Sequence, residues 1–420
     1  MRENALDEMF AEFEADAMAS FRPPGVPAVE RRVRDRRRRR GRLLAGLGAL
    51  LLAGPAGAFA AGRGSDPDPP IPTPAPAVSP TPTGKLPERK VSLPGTPGRL
   101  TELRFVDASN GWALFDTCDR PDPGATDCRR TVGRTADGGV TWRPTTPLPD
   151  ANGLAHLLPV DEWRLTVRVG DGYLVTTDGG AAWSRHPFGS PPPVTQASSA
   201  TRSGFFVRCP ERDGQGTRGM ECPRGELVRI GSGPVRPQPP VPLTGGTDHR
   251  VVEGGDGRLW LTVRDGGRLT VLVSDDEAAT WRKLPTGTGA RAGRLLVSPD
   301  GADTWLVTAS ESEFSVTAAT EVWRLVGGRW EQRPGLPDGT SDVAATNGGV
   351  LAVIGAHGSA GFWAGGRYVD APPVTAALRT GIDESPSVEV LRDDTVVVTT
   401  ASARIVGVGS GVTRTWTRIS

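Results

Sequence analysis

Three aspartates that share one short sequence pattern are the first residues whose type and spacing suggest chemistry. The pattern, Ser/Thr-x-Asp-x-Gly-x-Thr-Trp with some departures, occurs at Thr135–Trp142, Thr176–Trp183 and Ser274–Trp281. The carboxylates of Asp137, Asp178 and Asp276 could each bind a hard cation. Such a cation needs several oxygen ligands together, whereas each aspartate stands alone in its own segment. We therefore expect no metal site and no other cofactor.

Four cysteines form two close pairs, Cys118/Cys128 and Cys209/Cys222, and the chain has no others. Zinc would need further ligands, and no histidine lies between the members of either pair. An even number of cysteines outside the cytoplasm favours disulfides, for which three connectivities are possible. Because each pair encloses a single polar loop, we expect local pairing, and we expect bridges rather than nucleophiles.

Each copy of the pattern lies between two strand-like runs, so it must form a tight turn. Aspartate can accept backbone N–H groups there, and glycine tolerates a positive φ. The pattern resembles the Asp-box (bacterial neuraminidase) repeat of β-propellers, although the third copy has Ala278 at the glycine position. In that family the box is structural, and its tryptophan packs between blades. The resemblance implies this role for Asp137, Gly139, Trp142, Asp178, Gly180, Trp183, Asp276 and Trp281.

A repeat of about 40–50 residues runs from residue 99 to the end, which is typical of ring architectures. Each unit has an apolar second strand, an apolar third strand and a turn before a fourth strand. We predict an all-β fold, a β-propeller of seven four-stranded blades over 99–420. Because the third turn, Gly231–Val235, matches the pattern only weakly, a ring of six or eight blades is the alternative. Ser298–Trp305 also fits the turn spacing, but Trp305 begins a second strand. Lys90–Leu93 could add an edge strand that helps to close the ring.

The region before the repeat predicts a membrane anchor. Leu43–Ala61 is an uncharged run of 19 residues, directly after the basic block Arg36–Arg40. A span of this length can cross a bilayer, and the basic block places the N-terminus in the cytoplasm. We expect one transmembrane helix over 43–61, with the bulk of the chain extracytoplasmic at the cell membrane. The alternative is a secreted protein that is cleaved near Ala60.

Residues 1–42 would form a cytoplasmic tail, and 62–98 a Pro-rich extracytoplasmic linker. Apolar residues recur at steps of three and four over 1–21, which predicts an amphipathic helix. Phe10, Phe13 and Phe21 on this helix could bind a cytosolic partner, and a disordered tail is the alternative. The formal net charge is only +1. Because the large domain is not basic, we expect no nucleic-acid binding.

The chain offers little of the catalytic machinery that the resemblance could bring. Sialidases need a tyrosine nucleophile, three arginines that bind a carboxylate, and an Arg-Ile-Pro segment. Only Tyr173 and Tyr368 are present, at packing positions of the repeat, and Arg-Ile-Pro is absent. Phosphate-binding loops, Gly-x-Ser-x-Gly elbows and paired metal-binding histidines are also absent from the sequence. We expect that the protein is not an enzyme.

Three long insertions predict a partner-binding face. The two cysteine loops and residues 309–320 all connect a second strand to a third strand, so they share one rim of the ring. Scaffolds often carry recognition on such loops, although the bridges could merely stabilise long insertions. The candidate contact residues are Asp119, Arg120, Asp122, Glu211, Arg212 and Arg218.

Together these features predict a membrane-anchored β-propeller that binds an envelope protein or a glycan without catalysis. One alternative is a transmembrane adaptor whose helix over 1–21 binds a cytosolic regulator. The other is a divergent, exo-sialidase-like glycan hydrolase.

Overall fold

The computed structural model describes residues 85–420, except for 97, 119–127, 150–153, 189, 191, 198–199, 209–224, 244–247, 266–267, 287–291, 310–318, 356 and 380–385. All described residues belong to one compact unit, Ser79–Ser420. The predicted cytoplasmic helix, the predicted span over 43–61 and nearly all of the linker lie outside the described residues. Among the described residues, no helix has the length and apolar character that crossing a bilayer requires.

Strand β1 (Glu88–Arg89) precedes seven sheets, which we call blades 1 to 7 in chain order. Blade 1 contains β2 (Arg99–Phe105), β3 (Gly111–Thr117), β4 (Arg129–Thr135) and β5 (Arg143–Pro144). Blade 2 contains β6 (His156–Pro159), β7 (Leu165–Val169), β8 (Gly172–Thr176) and β9 (Ser184–Pro187). Helix α1 (Pro193–Ala197) follows, and then blade 3 with β10 (Phe205–Arg208), β11 (Glu226–Arg229) and β12 (Gly233–Pro234).

Blade 4 contains β13 (Asp248–Glu253), β14 (Leu259–Asp265), β15 (Arg268–Ser274) and β16 (Arg282–Leu284). Blade 5 contains β17 (Ala292–Val297), β18 (Thr304–Ala309), β19 (Ala319–Val326) and β20 (Arg329–Arg333). Blade 6 contains β21 (Thr340–Thr346), β22 (Val350–Gly355), β23 (Ala360–Ala364) and β24 (Arg367–Asp370). Helix α2 (Pro372–Leu378) leads to blade 7, with β25 (Ser387–Val390), β26 (Val396–Thr399), β27 (Arg404–Ser410) and β28 (Thr413–Ile419).

The burial of each strand follows from its position in a blade. Middle strands are covered by a neighbouring blade on both faces, so they are nearly continuous apolar runs, as in β22. Outer strands face solvent, and all four residues of β24 are exposed. This difference explains why the apolar runs of the second and third strands mark the repeat in the sequence. The predicted seven-bladed β-propeller is confirmed.

Two blades depart from the predicted four strands. In the described residues, blade 3 has only three strands. Helix α1 lies where the chain of the other blades forms the first, innermost strand. Pro192 and Pro193 lie in this segment, and proline cannot donate a ladder hydrogen bond. Blade 7 has five strands, because β1 pairs in parallel with β28. The four-stranded prediction was therefore wrong for these two blades.

Clusters of buried apolar side chains hold neighbouring blades together. One such cluster joins Leu103, Phe105 and Phe115 of blade 1 to Val397 and Val406 of blade 7, so the last blade packs on the first. Described clusters also join blades 1 and 2, 3 and 4, 4 and 5, 5 and 6, and 6 and 7. The first strands lie innermost, where those of neighbouring blades contact one another, and they line a central channel.

The segment before blade 1 acts as a latch on the closed ring. Strand β1 pairs with Arg418 and Ile419 of β28, and the Val91 N–H donates to the carbonyl of Ser420 at 2.7 Å. The extra edge strand is therefore Glu88–Arg89, two residues earlier than the predicted Lys90–Leu93. It covers the outer edge of the last blade, which would otherwise present unpaired backbone groups.

Candidate functional site

The first of the three aspartate turns uses its carboxylate entirely within the turn. The Thr135 hydroxyl donates to Asp137 Oδ1 at 2.8 Å, and the Gly139 N–H donates to Thr135 Oγ1 at 2.9 Å. Thr141 donates its N–H to Asp137 Oδ1 at 2.9 Å and its hydroxyl to Oδ2 at 2.6 Å. The aspartate thus replaces the backbone bonds that the chain reversal removes.

The other two copies repeat this geometry. Ala182 N–H donates to Asp178 at 3.1 Å, and Thr280 N–H donates to Asp276 at 2.8 Å. In the third copy, Glu277 and Ala278 take φ values of 56° and 69°, a region that normally favours glycine. The pattern therefore forms the turn even where glycine is replaced.

The tryptophans that end the three turns pack on the preceding blade. Trp142 is buried in the cluster between blades 7 and 1, with its ring 6.4 Å from that of Phe105. Trp183 and Trp281 are partly buried against the clusters between blades 1 and 2 and between blades 3 and 4. These side chains therefore join blades.

The turn carboxylates hold their charge because of these hydrogen bonds. Desolvation raises the pKa of Asp137, but the hydrogen bonds from Thr141 and Thr135 outweigh it and lower the pKa to about 2. Hydrogen bonds also lower the pKa of Asp178, mainly from the Ala182 N–H, and of Asp276, mainly from Thr280. Both oxygens of Asp137 and of Asp276 accept hydrogen bonds within their own turns, whereas at Asp178 the acceptor is Oδ1.

Of the two predicted cysteine bridges, one lies within the described residues. Cys118 and Cys128 are joined, with an S–S distance of 1.99 Å. Asp116 is near these sulfurs, and among the described residues this trio is the one group with metal-ligand spacing, but both thiols are used by the bridge. Cys209 and Cys222 lie outside the described residues. So do all nine candidate partner-binding residues: Asp119, Arg120, Asp122, Glu211, Arg212, Arg218, Phe10, Phe13 and Phe21.

Acidic side chains on the inner strands were not singled out from the sequence. Glu102 of β2 accepts the N–H of Leu157 in blade 2 at 2.8 Å and the Nε–H of Arg104 at 2.9 Å. Glu253 of β13 accepts both the N–H and the hydroxyl of Ser203 in blade 3 at 2.6 Å. These carboxylates join neighbouring blades.

Asp342 of β21 joins three blades. It accepts Arg294 Nη1–H of blade 5 at 2.7 Å and the N–H of Val388 in blade 7 at 2.7 Å. Glu389 of β25 has a different environment in the same channel. The surrounding protein raises the pKa of Glu389 by desolvation, and the nearby Arg104 and Arg404 only partly offset this effect. Glu389 is nevertheless exposed to solvent.

Neither tyrosine lies on an inner strand of its blade, where a catalytic nucleophile would face the centre of the ring. Tyr173 lies in β8, the third strand of its blade, with its ring 5.2 Å from that of Phe188. Tyr368 lies in β24, the outermost strand of its blade. Desolvation and the charge of Asp370 raise the pKa of Tyr368 to about 12. A tyrosine with this pKa is protonated at neutral pH.

A cleft of about 690 Å³ opens between blades 1 and 2, and it was not predicted from the sequence. Arg134 and Trp163 face each other in it, with the guanidinium carbon 4.2 Å from the centroid of the indole ring. Trp163 is 52% exposed. The turn that carries Trp163 lies beside the second aspartate turn, because Gly179 N–H donates to the Trp163 carbonyl at 2.8 Å. The cleft is thus on the face of the aspartate turns.

Arg134 belongs to a set of three arginines at equivalent positions of the repeat. Each lies on a third strand, opposite the aromatic residue near the start of the second strand. The pairs are Arg134 with Trp112, Arg229 with Phe205, and Arg324 with Trp305. All three guanidinium groups stack on these rings, at 5.8, 5.0 and 5.2 Å from the centroids. The shared register could have been read from the sequence once the strands were aligned.

The three arginines differ in their acidic partners. Arg324 pairs with Asp303 of its own blade, and Arg229 pairs with Glu277 of the next blade at 2.7 Å. Arg134 takes part in no ion pair among the described residues, and its buried Nε has no hydrogen-bond partner there. The residue of blade 1 that corresponds to Asp303 is Asn110, two positions before the aromatic residue. Asn110 is neutral, and it donates to Asp107 instead.

No protein-family model matches this chain, and no curated protein sequence matches it. Among solved structures, YCF48 bound to D1 peptide is 14% identical over 77% of this chain and 98% of its own, with a TM-score of 0.40. A GH74 xyloglucanase from Xanthomonas campestris is 17% identical over 74% of this chain and 45% of its own, with a TM-score of 0.33. Because these identities and TM-scores are low, the fold is inferred from the strand pairing of this chain, and no function is carried over.

Proposed function

We propose that the chain is a membrane-anchored, extracytoplasmic β-propeller that binds an envelope protein or a glycan without catalysis. Its three aspartate turns are of the Asp-box type and serve the scaffold. The basic block Arg36–Arg40 before the apolar run 43–61 supports an N-terminus in the cytoplasm. The Pro-rich segment 62–98 would be the linker between this anchor and the ring.

The engagement of the inner carboxylates carries the non-catalytic part of this proposal. Glu102, Glu253 and Asp342 each accept hydrogen bonds from a neighbouring blade. A general acid or base must be free to exchange a proton with a substrate. Carboxylates that join blades are poorly suited to this task, and they are well suited to keeping a binding surface rigid.

In-cell crosslinking of the full-length protein, followed by mass spectrometry, tests the binding role. Alanine substitutions across the loops that contain Asp119, Arg120, Asp122, Glu211, Arg212 and Arg218 should reduce the yield of a crosslinked partner. A version without residues 1–30 tests the adaptor role of the predicted helix, since only an adaptor should lose a cytosolic partner. The binding role is contradicted if the protein crosslinks to no partner above the level of an unrelated membrane protein.

A divergent glycan hydrolase is a second candidate, and Glu389 favours it. A carboxyl group with a raised pKa can remain protonated and act as a general acid, and Glu389 lies near Arg104 and Asp342. Glycan turnover by the full-length protein, abolished in Glu389→Gln, would support the hydrolase and contradict the non-catalytic proposal. If the protein turns over none of a panel of acidic and neutral glycans, the result would count against the hydrolase.

A further inference from the structure

Arg134 differs from its equivalents in the repeat because no ion pair of the described residues neutralises its charge. Its equivalents Arg229 and Arg324 stack on aromatic rings in the same way, but each has a carboxylate partner. Within the described part of the chain Arg134 has none. A partly buried cation is costly unless it is paired, so this site gains stability when an anion enters it.

The surroundings of Arg134 form an open cleft with both polar and apolar lining. Arg143 also lines it and likewise forms no ion pair among the described residues. The acid of the cleft is Asp137, whose carboxylate is used by Thr135 and Thr141. Two arginines that lack acidic partners therefore face one carboxylate that is already engaged. The charge of the cleft is complementary to an anion.

Trp163 gives the cleft a second recognition element. Arg134 covers part of its indole, and about half of the side chain remains exposed. Flat aromatic surfaces pack against the apolar parts of a ligand, while the guanidinium group pairs with an oxyanion through a planar fork. The cleft volume of about 690 Å³ lies within the range of small-ligand sites, roughly 300–1,000 Å³.

The outer edge of blade 1 disfavours an extended peptide as the occupant. Strand β5 is the outermost strand of this blade, and Thr145 N–H after it points inward to the carbonyl of Val132 at 2.9 Å. The residue between Arg143 and Thr145 is Pro144, which has no N–H to offer to a strand added from outside. A peptide could not extend the sheet here, whereas a ring-shaped ligand needs no such pairing. The hydroxyl-bearing residues Thr145 and Thr146 also line the cleft.

We propose that the cleft between blades 1 and 2 binds an anionic sugar residue. The oxyanion of the sugar, a carboxylate or a phosphate, pairs with Arg134, and the exposed part of Trp163 packs against the sugar ring. This proposal rests on the binding function proposed above and adds a ligand class and a second site to it. The described lining residues of this site do not include the loop residues that are predicted to contact a partner.

The test is a titration of the full-length protein in detergent with D-glucuronate and with D-glucose 6-phosphate, followed by saturation-transfer NMR and tryptophan fluorescence. The two probes distinguish a carboxylate source from a phosphate source. D-Glucose, acetate, inorganic phosphate and a short acidic peptide are the comparison ligands. The variants are Arg134→Gln and Trp163→Ala, with Arg229→Gln as the matched control at an equivalent, paired position.

At least one anionic sugar should bind about tenfold more tightly than D-glucose, and Arg134→Gln should remove that advantage. Trp163→Ala should weaken binding of both anionic sugars, whereas Arg229→Gln should leave it unchanged. The proposal is overturned if acetate, phosphate or the acidic peptide binds as tightly as the sugars, if the three variants behave alike, or if no anionic sugar binds. A crosslinked partner retained in Arg134→Gln would then show that the binding function survives without this site.

Discussion

The boundary between blades 5 and 6 and the boundary between blades 1 and 2 use the same arginine in opposite ways. At the first, Arg324 pairs with Asp303, and the second oxygen of Asp303 accepts the N–H of Gly349 in blade 6 at 2.6 Å. At the second, Arg134 reaches toward Trp163 of blade 2 and pairs with no carboxylate of the described residues.

The comparison shows how a repeat can separate stability from recognition. One carboxylate at the position of Asp303 turns the arginine into a link between blades. The amide of Asn110 at the same position directs its hydrogen bonds to Asp107, and the arginine remains available. The same backbone bond closes both turns, although the second turn is one residue longer. Val106 N–H donates to the Asn110 carbonyl, and Ser298 N–H donates to the Asp303 carbonyl, each at 2.9 Å.

The largest expected effect is the loss of the acid at the paired boundary. Asp303→Ala should lower the free energy of unfolding by about 3 kcal/mol, because it leaves Arg324 without its carboxylate and Gly349 N–H without an acceptor. The matched variant Asn110→Ala should cost only about 1 kcal/mol. Urea denaturation of both variants measures the difference. Equal losses would mean that the two positions do the same work.

Removing the arginine should also destabilise the protein more at the boundary between blades 5 and 6 than at the boundary between blades 1 and 2. Arg324→Gln leaves the buried carboxylate of Asp303 unpaired and should cost about 2 kcal/mol. Arg134→Gln removes stacking on two rings but leaves no carboxylate without its partner. The loss of unfolding free energy should therefore stay below about 1 kcal/mol. The readout is again the urea midpoint. A larger loss for Arg134→Gln would show that its charge already has a structural partner.

Adding a carboxylate at position 110 should make the boundary between blades 1 and 2 resemble the one between blades 5 and 6. Asn110→Asp places a carboxylate where blade 5 has Asp303, so Arg134 gains a partner within its own blade. Repulsion from Asp107 offsets this gain, and the unfolding free energy should change by less than about 1 kcal/mol. Binding of an anionic sugar should fall about tenfold because the new carboxylate competes for Arg134. Unchanged sugar binding in this variant would argue that the guanidinium group is not the anion contact.

The smallest effect concerns the aspartate turn beside the cleft. The folded pKa of Asp137, about 2, lies below its ordinary value of 3.8, so its ionised form contributes stability above about pH 4. That contribution is lost as the pH falls toward 2. Asp137→Asn removes it, and the stability difference between wild type and variant should narrow over this interval in acid titrations followed by circular dichroism. A constant difference would mean that the turn does not depend on the charge.

Much of the fold could be predicted because burial imposes a pattern on the sequence. Middle strands are covered on both faces, so their apolar runs mark all seven units, including the weak third unit. The repeat also explains why Ser298–Trp305 is not a fourth copy of the aspartate turn. It begins in the turn between β17 and β18, and its Trp305 belongs to the second strand of the blade. The loss of an inner strand in blade 3 leaves the apolar second and third strands of that unit intact, so the repeat does not reveal it. Pro192 and Pro193 are its local signal, because proline cannot donate a ladder hydrogen bond.

The cleft could not be predicted in the same way. Its decisive feature is the absence of a partner for Arg134, and a sequence shows which residues are present but not which remain unpaired. The register that aligns Arg134, Arg229 and Arg324 depends on strand pairing across insertions of different length. Trp163 comes just before the apolar run of β7 in the sequence, but it lies in the turn that precedes this strand. The local sequence around it carries no sign of the arginine from the neighbouring blade.

The latch at β1 has a mechanical consequence. Any tension that enters the ring along the chain from its N-terminal side first meets the pairing of Glu88 and Arg89 with β28. The load is then shared by the backbone bonds of Val91 and Ser420 and by Arg89 Nη1, which donates to the Gly138 carbonyl of blade 1 at 2.7 Å. Force is thereby spread over the last blade and the first one together, at the boundary where the ring would otherwise open.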